Sequence, residues 1–116
     1  MTKHINFSKM MCNITTVDEF NELVSENDYV LIKFFATWCG PCKKLQQNIE
    51  IVEKEFPDVV VVRIDVDDAD DELLESFDIK NVPFLVYYND AMEVHSTLGM
   101  QTVEQLRENF LKLFKI

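Results

Sequence analysis

With 116 residues the chain has the length of one domain, at roughly 100–200 residues per domain, and its 47% apolar and 28% charged composition excludes a disordered chain. Eleven basic against 21 acidic residues leave a net charge of −10, which argues against nucleic acid or an anionic membrane as the main partner. The uncharged apolar runs, such as Val59–Val62, are too short to cross a bilayer, and MTKHINFSKMMCNI at the start lacks the apolar stretch of a secretory signal.

Taken in chain order, residues 1–9 are weakly patterned and read as a short tail, and a first strand is expected near Met10–Ile14. Thr16-Val17-Asp18-Glu19 is a capping box that starts a helix, with Val17, Phe20, Leu23 and Val24 at helical spacing. Tyr29–Phe35 is a β-rich apolar run broken only by Lys33, the pattern of a strand buried on both faces. Leu45, Ile49, Val52 and Phe56 mark a second helix closed by Pro57, followed by a buried strand at Val59–Val66. A short helix near Asp70–Phe77 leads to strands at Phe84–Tyr88 and Glu93–Leu98, joined at Asn89-Asp90-Ala91. Thr102-Val103-Glu104-Gln105 caps a last helix lined by Val103, Leu106, Phe110 and Leu113. The order β-α-β-α-β-α-β-β-α predicts a three-layer α/β/α domain over residues 10–116, with about five strands in a mixed sheet and four helices. Strands separated by helices are expected to run parallel, and the tightly joined last pair antiparallel. The acidic run from Asp65 to Asp78 reads as a solvated loop and helix start, or as a docking surface for a basic partner.

The cysteines are Cys12, Cys39 and Cys42. An odd count without a signal argues against a secreted disulfide scaffold and for a reducing compartment, with the cytoplasm the expected location. Trp38-Cys39-Gly40-Pro41-Cys42 falls where a buried strand gives way to a helix. Free amides and the dipole there favour a negative sulfur on Cys39. Cys42 lies one turn further on the same face, about 5–6 Å away at Cβ, within adjustment of an S–S bond. The spacing therefore predicts Cys39 as exposed nucleophile and Cys42 as the inner, resolving thiol. Pro41 presets φ for the first turn, Gly40 allows a partner backbone to approach, and Trp38 offers a flat contact surface and shields the sulfurs. Two blander readings compete. The pair is half of a zinc site completed by Cys12 with His4 or His95, or both cysteines are inert core. The nine phenylalanines and the long apolar stripes read as core. No nucleotide fingerprint is present, so no cofactor is expected and the electrons travel on the protein's own sulfurs.

WCGPC, preceded by FFAT and followed by KK, resembles the thioredoxin family from about Met10 to the C-terminus. Asp65-Val66-Asp67, Val82-Pro83 and Gly99 also match. The resemblance implies a thioredoxin fold and a Cys39–Cys42 redox-active disulfide that reduces client proteins through a mixed disulfide. It implies that Val82-Pro83 is a cis peptide facing the cysteines, that this loop binds extended substrate, and that Gly99 lies on the substrate surface. The implied partners are client disulfides, such as those of peroxiredoxins or ribonucleotide reductase, and a flavin-dependent thioredoxin reductase; a monomer is expected, with no nucleic acid, membrane or metal.

The chain departs from the family at Lys33, where thioredoxins carry a buried Asp that accepts the inner cysteine's proton. Lys33 either pairs with Asp65 or Asp67, snorkels to the surface, stabilises a Cys42 thiolate as a nearby ammonium, or serves as the base in its neutral form. Gln47 replaces a helix-kinking proline, Phe84 stands where Thr is common and makes the groove more apolar, and Ala91 replaces a hairpin glycine, leaving Asn89-Asp90 to supply left-handed residues. Cys12 reads as apolar filler or a regulatory thiol, and His4 and His95 as surface residues. The rival functions are a thioredoxin-fold binding module and a more oxidising oxidase or isomerase.

Overall fold

In the computed structural model, which describes residues 13–116, the first helix is set by its cap. Helix α1, Val17–Glu26, starts where the Thr16 hydroxyl accepts the Glu19 N–H (3.1 Å) and the Glu19 carboxylate accepts the Thr16 N–H (3.2 Å). Strand β1 (Tyr29–Phe35), helix α2 (Gly40–Glu53), strand β2 (Val59–Asp65) and helix α3 (Asp71–Phe77) follow. Strands β3 (Phe84–Asn89) and β4 (Met92–Leu98) form a hairpin, and helix α4 (Val103–Phe114) closes the chain behind the Thr102–Gln105 capping box. With Gln47 in the middle, α2 runs unbroken.

The sheet has the order β2-β1-β3-β4. Because β1 and β2 are covered on both sides, successive residues feed two cores. Val30, Ile32, Phe34, Val60, Val62 and Ile64 pack under α1 and α3, against Leu23, Val24 and Leu73. Leu31, Val59, Val61, Leu85 and Tyr87 face α2 and α4, meeting Leu45, Ile49, Leu106, Phe110 and Phe114. This alternation is why the strands read as nearly continuous apolar runs.

Three expectations change. The described residues hold four strands; most of the Met10–Ile14 strand lies outside them, and its end is an isolated parallel bridge between Asn13 and Arg63. Second, β3 is antiparallel to β1, although a helix separates it from β2. A parallel return would have to carry the chain back along the whole sheet. Instead β2 ends opposite Phe35 and β3 begins opposite Phe34, so α3 and its loops only cross one end. Third, Ala91 itself is left-handed (φ 66°), beside Asp90 (φ 59°), because a two-residue hairpin loop demands positive φ at both positions.

Candidate active site

The end of the sheet that α3 crosses is also where β1 runs out into Ala36-Thr37-Trp38 and α2 begins. Cys39 is the N-cap of α2, and its sulfur accepts the Cys42 backbone N–H at 3.2 Å. Cys39 and Cys42 are joined in a disulfide with their Cα atoms 5.3 Å apart. The pair is less open than the sequence suggests: Cys39 is 5% exposed and Cys42 2%, which keeps their order but covers both. They pack with Ala36, against Phe35, Val66 and Val82. Gly40 and Pro41 form the exposed first turn, and no heavy atom lies within 4 Å of where a Gly40 Cβ would stand.

On one side of the disulfide the surface is apolar. Trp38 is 70% exposed, and its indole N–H donates to Asp67 Oδ2 at 2.8 Å. With Val66, Leu74, Ile79, Lys80, Asn81 and Val82 it borders a hollow of about 270 Å3. The Val82–Pro83 peptide is cis. Gly99, at φ 92°, donates its N–H to Pro83 O at 2.9 Å and so ties the end of the hairpin to that loop. Phe84 does not line this hollow. Its ring packs toward Phe34 and borders a smaller one with Ile79 and Leu98.

On the other side the surface is charged. A cleft of about 280 Å3 is lined by Lys33, Phe35, Ala36, Thr37, Cys42, Lys43, Gln46 and Arg63. Lys33 is 1% exposed and does not reach Asp65 or Asp67. Those carboxylates are already engaged, Asp65 by the Asp67 N–H (2.9 Å) and Asp67 by Trp38. Lys33 Nζ instead donates to Gln46 Oε1, and Gln46 Nε2 donates to Glu50 Oε2 at 3.0 Å. The parallel register sets Arg63 beside Lys33, and both cations lie 5.0 Å from the centre of the Phe35 ring. Burial first, then Arg63, push the Lys33 pKa down to about 8, while Glu50 pulls the other way.

Gln46, Glu50 and Arg63 were not singled out in the sequence, although a signal was there. Cys42, Gln46 and Glu50 recur every four residues on one helix face, and aligning the two apolar strands in parallel sets Arg63 against Lys33. His95 is exposed on β4 with its ring 5.8 Å from Tyr87, away from the cysteines; Cys12 and His4 lie outside the described residues. Among the described residues no three or more His, Cys, Asp or Glu gather to hold a metal ion, and no helix is long and apolar enough to cross a membrane.

A reversible sulfur pair at a helix N-terminus carries all that a cyclic thiol–disulfide exchange needs, and proteins that work this way are dithiol–disulfide oxidoreductases. Comparison with known proteins gives the family: the Thioredoxin family model matches residues 11–112, and the chain belongs to the thioredoxin family. It is 33% identical to a thioredoxin of Mycoplasmoides gallisepticum over 98 residues, covering 84% of this chain and 97% of that protein. A mutant thioredoxin from Halobacterium salinarum superposes with a TM-score of 0.81 at 30% identity, covering 90% of each chain. Oxidised mitochondrial thioredoxin 3 from Saccharomyces cerevisiae does so at 0.78 and 28% identity, covering 88% of this chain and 94% of that one. The protein is thus a dithiol–disulfide oxidoreductase that reduces client protein disulfides through Cys39 and Cys42 via a mixed disulfide. Thioredoxins are generally reduced in turn by a thioredoxin reductase. The binding-module and oxidase readings are not favoured.

Proposed function

We propose that Cys39 is the attacking sulfur and Cys42 the resolving one. The Cys39 thiolate attacks a client disulfide, and one client sulfur leaves as a thiolate. The Cys42 thiolate then attacks Cys39, the bond to the client breaks, and its electron pair leaves on the second client sulfur. Two electrons have passed to the client, and a flavin-dependent thioredoxin reductase returns two to the Cys39–Cys42 disulfide. The client's extended chain lies on Trp38, Gly40, Pro41, Val82, Pro83 and Gly99, with Lys33 supporting the pair from behind. The protein acts as a cytoplasmic monomer, without nucleic acid, membrane, metal or cofactor of its own. Residues 10–116 form its single domain and 1–9 its tail, a reading supported by the span of the family match.

The observation that carries this reading is the Cys39 sulfur accepting an amide N–H at the start of α2, the environment that stabilises a thiolate. Cys42→Ser is expected to trap disulfide-bonded clients on Cys39, and Cys39→Ser to trap none. Equal trapping by both variants, or trapping only through Cys42, would reverse the assignment.

A further inference from the structure

On the Cys39–Cys42 reading above, the inner thiol must lose a proton before its sulfur can attack, and that proton needs an acceptor. Cys42 lines the charged cleft, and no carboxylate lines it with Cys42. Lys33 does. Its ammonium is weakly held: the side chain is buried, its hydrogen-bond acceptor is a neutral amide, and Arg63 stands beside it. The other charged groups around it are Lys43 and Glu50 on α2 and, two pairs along β2, Asp65, while its β3 partner is Leu85. A lysine destabilised as an ammonium in this way becomes a competent base near neutral pH.

We propose that Lys33, in its neutral form, accepts the Cys42 proton across this cleft, and that Glu50 and Arg63 set from opposite directions the pH at which it does so. The Lys33 lone pair takes the proton from Cys42 S–H. The Cys42 thiolate bonds to Cys39 as the bond to the client breaks, and the departing electron pair stays on the client sulfur. Lys33 then releases the proton to solvent through the open cleft. Its pKa of about 8 places this exchange within reach of neutral pH. Glu50 favours the ammonium and so delays the neutral form to higher pH, while Arg63 opposes the ammonium and brings the neutral form on earlier.

The test is stopped-flow reaction of the reduced protein, in a Cys12→Ser background, with dithiobis(nitrobenzoate). The first nitrobenzoate thiolate is released when Cys39 attacks and the second when Cys42 resolves. The second phase is expected to quicken with pH in step with the titration of Lys33 Nζ followed by nitrogen NMR. Glu50→Gln should move both to lower pH, and Arg63→Gln both to higher pH. Lys33→Ala should slow the second phase by about 100-fold, the lower range for a lost general base, and spare the first. Added methylamine should restore it in proportion to its free base. Restoration in proportion to methylammonium would show that Lys33 acts only as a fixed charge and overturn the proposal. So would an unchanged second phase in Lys33→Ala, or a rate that rises where Lys33 does not titrate. Should Lys33→Ala fail to fold, the paired Glu50 and Arg63 shifts decide the matter. A missing first phase in the parent protein would instead refute the role given to Cys39.

Discussion

The disulfide sits between two hollows of nearly equal size whose walls differ in kind. The one beside Trp38, about 270 Å3, is bordered by Val66, Leu74, Ile79 and Val82 with a single charged side chain, Lys80. The one behind Cys42, about 280 Å3, gathers Lys33, Lys43 and Arg63 in a chain with only 11 basic residues and a net charge of −10. An apolar wall can receive many extended segments, because desolvation is indifferent to sequence. A cationic wall acts on charge, and the charge that comes and goes here is on the inner sulfur. On the roles proposed above, the two steps of the exchange are divided between two surfaces, client capture on one and proton handling on the other.

That division predicts opposite responses to substitution, the largest at Lys33. Replacing a buried, poorly paired charge with an apolar side chain of similar length generally stabilises a fold. Lys33 holds its proton up to about pH 8 in the folded chain and to its ordinary 10.5 when exposed. Between those values the unfolded chain binds more protons, so this group makes stability rise with pH across that window, and below it the full penalty stands. Lys33→Met should therefore raise stability by about 1–3 kcal/mol at pH 7, with a gain that shrinks as pH climbs through 8 toward 10. Urea unfolding at both ends of the window checks it. A gain that does not vary with pH would show that Lys33 is not held as a strained ammonium.

The outer hollow depends on backbone rather than charge. Gly99, at φ 92°, donates to the carbonyl of Pro83, and a Cβ there would meet nothing within 4 Å. The cost of Gly99→Ala is therefore conformational, about 1–2 kcal/mol. It should lower stability by that amount and weaken client turnover while leaving the Lys33 titration in place. If Gly99→Ala shifts that titration, the two surfaces are coupled and the division between them fails.

What could be read from the sequence divides along the same line. Local signals were sufficient for both capping boxes, for the strand-to-helix setting of Cys39 and for the buried character of β1 and β2, because each depends on neighbours a few residues apart. Pairing across strands was harder. The sequence offers Asp65 and Asp67 as partners for Lys33, and only the register shows Arg63 beside Lys33 while Asp65 falls opposite Phe35. Trp38 also takes Asp67, over 29 residues of sequence, by a hydrogen bond that no spacing rule foretells. The direction of β3 departs from the sequence pattern for a related reason. An intervening helix suggests a parallel return only if it spans the sheet, and the seven residues of α3 do not.

The hairpin at the far end of β3 supplies the smallest effect and the clearest control. Asn89 pairs with Met92, so Asp90 and Ala91 make the whole turn, and both take positive φ. Asp tolerates that region; alanine does so only against the clash of its Cβ with the following carbonyl. Glycine removes the clash but adds freedom to the unfolded chain, and the two effects oppose each other. The strain is the larger, so Ala91→Gly should stabilise the protein by about 0.5–1 kcal/mol, read as a higher urea midpoint with an unchanged slope. This turn lies at the opposite end of β3 from Pro83, outside both hollows. Neither the pH dependence of Cys42 resolution nor client turnover should move with it. A change in either would mean that general stabilisation alone alters the redox end, and the effects of Lys33→Met and Gly99→Ala would then have to be corrected for it before being assigned to the cleft or the loop.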